Sequence, residues 1–186
     1  LDQLTQWHAT LDNTLQVSVN KSPLEFRAHQ SSNESWPKVV ERRGLPPHSL
    51  VVEITEGSLM ADSAEVVEHL HEFRRAGVDI ALDDFGTGYS SLSYLKRFDI
   101  NYIKIDQSFV RSLADDPKDI ALCSAIVSMA HALRIKVIAE GIETEEQKAI
   151  LVAAGCDYGQ GHLFCPPVPP AAFAAFVVKR QQLAET

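Results

Sequence analysis

Residues 80–91, Ile-Ala-Leu-Asp-Asp-Phe-Gly-Thr-Gly-Tyr-Ser-Ser, carry an apolar run into two adjacent acids and then into a loop alternating glycine with hydroxyl residues. A buried strand accounts for Ile80 to Leu82 without any function. It does not account for Asp83 and Asp84 at the strand's C-terminal end, where like charges repel and raise each other's pKa. A divalent cation relieves that repulsion, because carboxylate oxygens suit Mg, Mn and Ca. The plainer reading makes Asp84 an N-cap or turn acid and leaves Asp83 solvated. On this segment alone the two readings weigh the same.

Other apolar runs end in the same way. Asn20 follows residues 15–19, Glu53 follows 50–52, Glu140 follows 136–139, and Gln160 lies near the end of 156–161. Gathered on one face, these groups form an oxygen-rich centre able to hold two cations. Such a pair can clamp the attacking and leaving oxygens of a phosphoryl displacement. Asp83 is then the bridging ligand, with Asn20 and Glu53 on one ion and Asp84 towards the other. Lys104 has a bland reading as a strand lysine snorkelling to the rim. Its place between Ile103 and Ile105 favours an inward, charge-neutralising role. Glu140 serves either as a metal ligand or as the base that takes a proton from water.

Several tempting residues fall away. His69 and His71 are two apart on a helix, do not share a side, and are expected to be solvated. His131 reads as a helix-surface or core residue, and His162 as a rim residue. Tyr89, Tyr94 and Phe98 read as packing. No Ser-His-Asp or Cys-His arrangement has the local context of a nucleophilic enzyme.

Residues of this kind need a frame that brings strand ends together. The chain has 186 residues, 45% hydrophobic and 23% charged, an ordinary globular composition with enough length for one core. Its net charge of -8 argues against a nucleic-acid polymer as partner. The three cysteines (Cys123, Cys156, Cys165) lack CxxC spacing and read as reduced thiols of a cytoplasmic chain. No 18-residue apolar run implies a membrane contact, although a larger membrane-anchored parent is compatible with a cytoplasmic part.

Helices are expected near the N-terminus (Leu4, Trp7 and Leu11 on one face), over 36–43, 62–76, 92–98 and 117–133, after the capping-box pair Thr144 and Gln147, and over 171–183. Val66, Val67, Leu70 and Phe73 form the buried stripe of the second long helix, with Gly77 as its cap. Ile120, Ile126, Val127, Ala130 and Leu133 are expected to face inward. Residues 22–35 read as a loop or irregular short helix. Strands alternating with helices give an α/β fold with a parallel sheet. Polar residues at six strand ends favour a (β/α) barrel over an open doubly wound sheet, and no GxGxxG or P-loop sequence supports the latter.

Ser18-Val19-Asn20, Glu53-Ile54-Thr55-Glu56, the loop 83–91, Tyr102-Ile103-Lys104-Ile105-Asp106, Ala139-Glu140-Gly141-Ile142-Glu143 and Gln160-Gly161-His162-Leu163-Phe164 together resemble the EAL domain, a bacterial cyclic di-GMP phosphodiesterase family. The resemblance runs from about residue 15 to 169. It implies a modified (β/α)8 TIM-like barrel, of which this chain carries strands three to eight. It also implies hydrolysis of cyclic di-GMP to linear pGpG with two Mg or Mn ions. Asn20, Glu53, Asp83, Asp84 and Glu140 resemble the metal ligands, Lys104 the residue that holds the catalytic water, and Glu140 the general base. Gln160, Glu143 and Asp106 resemble residues that support substrate, and Glu56 the anchor of the loop after Asp84. A homodimer is implied, regulated by or fused to sensor or diguanylate cyclase domains.

Two departures accompany the resemblance. The family's Glu-Ala-Leu strand is expected ahead of Leu1, so residues 1–186 are expected to be an N-terminally incomplete EAL domain. Such a piece should show negligible activity alone and associate through open sheet edges. An inactive cyclic di-GMP receptor is the alternative function, and a purely structural dimerisation module a distant third. Lys21 stands where members of that family more often carry an apolar residue.

Overall fold

The computed structural model describes residues 1–11, 15–22, 35–60, 64–88, 95 and 97–184. Six parallel strands pair in strict sequence order: β1 (Val17–Asn20), β2 (Leu50–Thr55), β3 (Asp79–Phe85), β4 (Tyr102–Ile105), β5 (Lys136–Ala139) and β6 (Tyr158–Gly159). Parallel neighbours in unbroken order are an arc of a (β/α)8 barrel, as expected. The helices are α1 (Asp2–Thr10), α2 (Trp36–Arg42), α3 (Glu56–Met60), α4 (Ala64–Arg75), α5 (Gln107–Arg111), α6 (Pro117–Ala132), α7 (Glu145–Ala153) and α8 (Pro170–Ala184). None among the described residues is long and apolar enough to cross a membrane.

Side chains alternate across a strand, so the pairing register sorts the sheet into two faces. Val17, Val19, Leu50, Val52, Ile54, Ile80, Leu82, Ile103, Ile105, Val137 and Ala139 share the outer face and join the helices in one apolar core. Val66, Leu70 and Phe73 of α4 pack into it, as do Cys123, Ile126, Val127 and Ala130 of α6. Fully burying each large aliphatic side chain contributes about 1.5–3 kcal/mol. This core holds the strands, and hence their ends, in place.

The inner face is composed differently. Val51, Ala81, Tyr102 and Ile138 make a small separate apolar layer. Below it, at the N-terminal mouth, buried Asp79 pairs with the His48 Nδ1 at 2.7 Å and accepts the Gln16 Nε2 at 3.0 Å. The Tyr102 hydroxyl donates to Gln16 Oε1 at 3.3 Å. Above the layer the inner face is polar at every strand end.

Several elements differ from expectation. Strands β2 and β3 run on through Glu53 and through Asp83–Asp84 instead of stopping before them. The predicted strand 156–161 reduces to Tyr158–Gly159. The short helices α3 and α5 carry too few residues for a legible period. Leu133 is 39% exposed, because it caps α6 and no longer follows its helical phase. His69 is buried, not solvated: it stands three residues after Val66 and four before Phe73, on the buried stripe itself. His131 lies on the surface, beside Asp157. The predicted helix 92–98 and loop 22–35 fall largely outside the described residues, as do Asp62, Tyr89 and Tyr94. The capping box at Thr144 and Gln147 is present with both of its hydrogen bonds.

Asp157 joins α6 to the start of β5. Its Oδ2 lies 2.9 Å from His131 Nε2 and accepts the Val137 N–H at 2.8 Å. Burial pushes this carboxyl up, but the bonds from His131 and the Val137 amide outweigh it and hold its pKa below the usual aspartate value. A lowered folded-state pKa stabilises the fold above the unfolded value near ~3.9, and that stabilisation is lost as pH falls below it. Asp157→Ala is therefore expected to lower the unfolding free energy by about 1–3 kcal/mol at pH 7. In urea titrations at stepped pH, the gap between wild type and variant should narrow below about pH 4. A gap independent of pH would show that the charge contributes nothing.

Candidate active site

At the C-terminal mouth, the Lys104 ammonium sits at the centre of a buried ion cluster. Its Nζ donates to Glu53 Oε2 at 2.8 Å, Asp83 Oδ1 at 3.0 Å and Glu140 Oε1 at 2.7 Å. These carboxylates come from β2, from β3 and from the residue after β5. Lys104 reaches all of them because it sits in β4 between β3 and β5, turned to the inner face. Burial pulls its pKa down, but hydrogen bonds to Glu140, Glu53 and Asp83 outweigh burial and hold the lysine above its ordinary value. The side chain is 4% exposed and remains charged.

A regular strand would send Asp83 and Asp84 to opposite faces. Strand β3 avoids this. Its pairing with β4 slips between Leu82 and Phe85, and Asp84 adopts a left-handed φ of 54°. Aspartate is among the few residues that tolerate this conformation. The Asp84 carbonyl accepts the Thr87 amide at 3.3 Å and hydroxyl at 2.9 Å, closing the turn. One carboxylate oxygen each from Asp83, Asp84 and Glu140 then lies within 4.8 Å of the other two. Burial, then Asp83 and Asp106, raise the Asp84 pKa. Burial is also the main cause of the raised Glu140 pKa, opposed by Lys104 and reinforced by Asp83 and Glu53.

The remaining candidates lie around this centre. Asn20 ends β1 directly opposite Glu53 and shares its face. Asp106 caps α5: its Oδ1 accepts the Ser108 amide at 2.9 Å and also the Ser108 hydroxyl. Burial raises its pKa, but the Ser108 bonds prevail and lower it. Glu56 opens α3, and its Oε1 accepts the Gly86 amide at 3.2 Å. A Cβ on Gly88 would come within 2.8 Å of Glu56 Oε2, so this turn admits only glycine without a shift. Glu140, Glu143 and Gln160 line an open cavity of about 600 Å³ with Trp7 and Phe173, whose rings are 4.7 Å apart. Backbone bonds from Ile142 N to Gln160 O (3.0 Å) and Gln160 N to Ala139 O (2.8 Å) stitch the two loops together. His162 lines the same cavity.

Glu53, Asp83, Asp84 and Glu140 thus converge, Asn20 and Asp106 flank them, and Glu143 and Gln160 lie to the side in the cavity. Four carboxylates against one ammonium leave excess negative charge. That excess, the oxygen-only donor set and the close spacing of three carboxylates fit hard divalent cations. Lys21, which stands where members of the family more often carry an apolar residue, is buried against Trp36.

Comparison with known proteins agrees with this geometry. The bifunctional diguanylate cyclase/cyclic di-GMP phosphodiesterase MucR of Pseudomonas aeruginosa is 42% identical over 161 residues, which are 87% of this chain and 23% of MucR. The chain therefore spans about a quarter of that relative's length. The solved PaMucR phosphodiesterase, in complex with c-di-GMP, superposes with a TM-score of 0.84 at 39% identity, over 92% of this chain and 69% of that one. Klebsiella pneumoniae BlrP1, in a manganese/cyclic di-GMP complex, gives 0.78 at 31% identity over 89% of this chain and 42% of that one. The EAL domain model matches residues 1–167, and the chain belongs to the EAL domain family.

Proposed function

We propose that the domain hydrolyses one phosphodiester bond of cyclic di-GMP to give linear pGpG. The observation that carries this reading is the Lys104 cluster, in which three strand-end carboxylates surround one ammonium beside Asp84. Family membership and the phosphodiesterase activity for which MucR is named support the choice of substrate. Asn20, Glu53, Asp83, Asp84 and Glu140 would hold two Mg or Mn ions. Bound there, such ions supply charge neutralisation and a more acidic water.

The chain's own residues do the rest. Glu140 accepts the proton of the attacking water as the water oxygen joins phosphorus and one ester P–O bond breaks, the departing ribose oxygen taking a proton from solvent to become a hydroxyl of pGpG. Its raised pKa brings it nearer the range in which a carboxylate is an effective base. Lys104, kept charged by its partners, orients Glu140 towards that water and offsets charge developing on the phosphoryl oxygens. Gln160, Glu143 and Asp106 orient the dinucleotide, and Glu56 fixes the loop after Asp84 through the Gly86 amide. The domain works as a homodimer within a larger protein whose sensor or cyclase domains set its activity.

The test is a turnover assay with Mn²⁺, beside calorimetry with cyclic di-GMP, on the full-length protein. Glu140→Gln is expected to lower kcat by about 10²–10⁴-fold while the dinucleotide still binds. Wild-type turnover in this variant would remove the base assignment. Tight binding by the native protein with no pGpG released would select the receptor reading instead.

Lys104→Met isolates the electrostatics. It leaves Glu53, Asp83 and Glu140 clustered without their shared cation. Removing one partner of a buried ion pair costs about 3–5 kcal/mol. In EDTA the variant should melt well below wild type, and Mn²⁺ should restore much of the difference while turnover stays low. Equal melting temperatures in EDTA would refute the buried-charge account.

A further inference from the structure

Lys21 is 8% exposed although it lies one residue beyond a surface strand end. Its amide donates to the Glu53 carbonyl at 2.9 Å, which extends the β1–β2 ladder by one step. Asn20 shares the inner face with Glu53, so the alternation turns Lys21 outward, to the helix layer. There its Nζ stands 4.6 Å from the ring centroid of Trp36 and 5.8 Å from that of Phe73. The two rings are 6.4 Å apart and inclined at 55°. Trp36 opens α2, and Phe73 is a buried residue of α4. An ammonium within ~6 Å of a ring face is attracted by its quadrupole, most strongly for tryptophan.

An aliphatic side chain at this position would also be buried, but without a preferred direction. The ammonium is drawn to one place, between rings that belong to two different helices. Backbone and side chain of Lys21 therefore tie one point of the chain to β2, α2 and α4 together. The residue fixed by that tie on the site side is Asn20. We propose that Lys21 is a positioning residue, whose ammonium, held over Trp36 and Phe73, fixes the end of β1 so that Asn20 stands level with Glu53 at the cation site. This inference rests on the reading that Asn20 and Glu53 hold a divalent cation.

The sign of the effect separates positioning from simple charge. Deleting a nearby positive charge should tighten cation binding, whereas loosening Asn20 should weaken it. The experiment measures Mn²⁺ affinity by electron paramagnetic resonance on the full-length protein, with no substrate present. Lys21→Met is expected to weaken Mn²⁺ binding by about 10-fold, the lower end of the range for residues that orient a ligand. Lys21→Arg, which also stacks on aromatic rings, should stay close to wild type. In an Asn20→Ala background, Lys21→Met should have no further effect, because its influence passes through Asn20.

Trp36→Leu keeps Lys21 and removes the nearer ring. It should reproduce the loss and the same masking by Asn20→Ala, and it serves if the Met variant does not fold. Unchanged or tighter Mn²⁺ binding in both variants overturns the role of Lys21. Equal losses with and without Asn20 overturn it too, since the effect would then be general. A wild-type protein that binds no Mn²⁺ overturns the cation reading of the site, and this inference with it.

Discussion

One buried ammonium makes the rest of the site possible. Lys104 is the shared counter-charge that lets Glu53, Asp83 and Glu140 approach one another from separate strands. Isolated buried carboxylates would protonate or repel. With the lysine at their centre they stay close, yet together with Asp84 they keep an uncompensated negative charge. The cluster is therefore electrostatically unfinished, which is the state a binding site for hard cations requires. The strands supply the geometry: β4 lies between β3 and β5, so a side chain from its inner face reaches acids on both sides.

The two faces of the sheet divide the labour. The outer face is a continuous apolar core with the helices, and it supplies most of the free energy of folding. The inner face has only a thin apolar layer at Val51, Ala81, Tyr102 and Ile138, closed below by the Asp79 network and open above to the acids. At the barrel mouth the backbone is irregular at the slip in β3 and the left-handed turn at Asp84. Such backbone irregularity persists where the surroundings enforce it, and here the Thr87 bonds and the Glu56 clamp on Gly86 do so.

Much of this was legible in the residues. Alternating apolar runs and helical periods gave the parallel order, and polar residues at the run ends pointed to the barrel mouth. A lysine between two isoleucines announced its inward direction. What was hidden has physical causes. Period-two reasoning sends Asp83 and Asp84 to opposite faces, and nothing local announces the slip in register that reunites them. Helices α3 and α5 are too short to show a period. His69 reads as solvated when paired with His71, but its spacing from Val66 and Phe73 sets it on the buried stripe. The burial of Lys21 depends on rings 15 and 52 positions away, a tertiary effect no local rule contains.

The separation of the two faces bears on how such a domain changes over generations. A buried ion cluster adds little to stability, and apolar replacements of similar volume are often neutral or stabilising. The apolar core is built from other side chains than Lys104 and its acidic partners, so the fold tolerates replacement of the whole cluster by apolar residues. Replacing the whole cluster by apolar side chains then carries little structural penalty, whereas losing Lys104 alone strands its carboxylates, and it is selection for turnover that keeps the charges together. A lineage that needs only recognition, and no longer chemistry, will shed these charges first while its architecture stays recognisable.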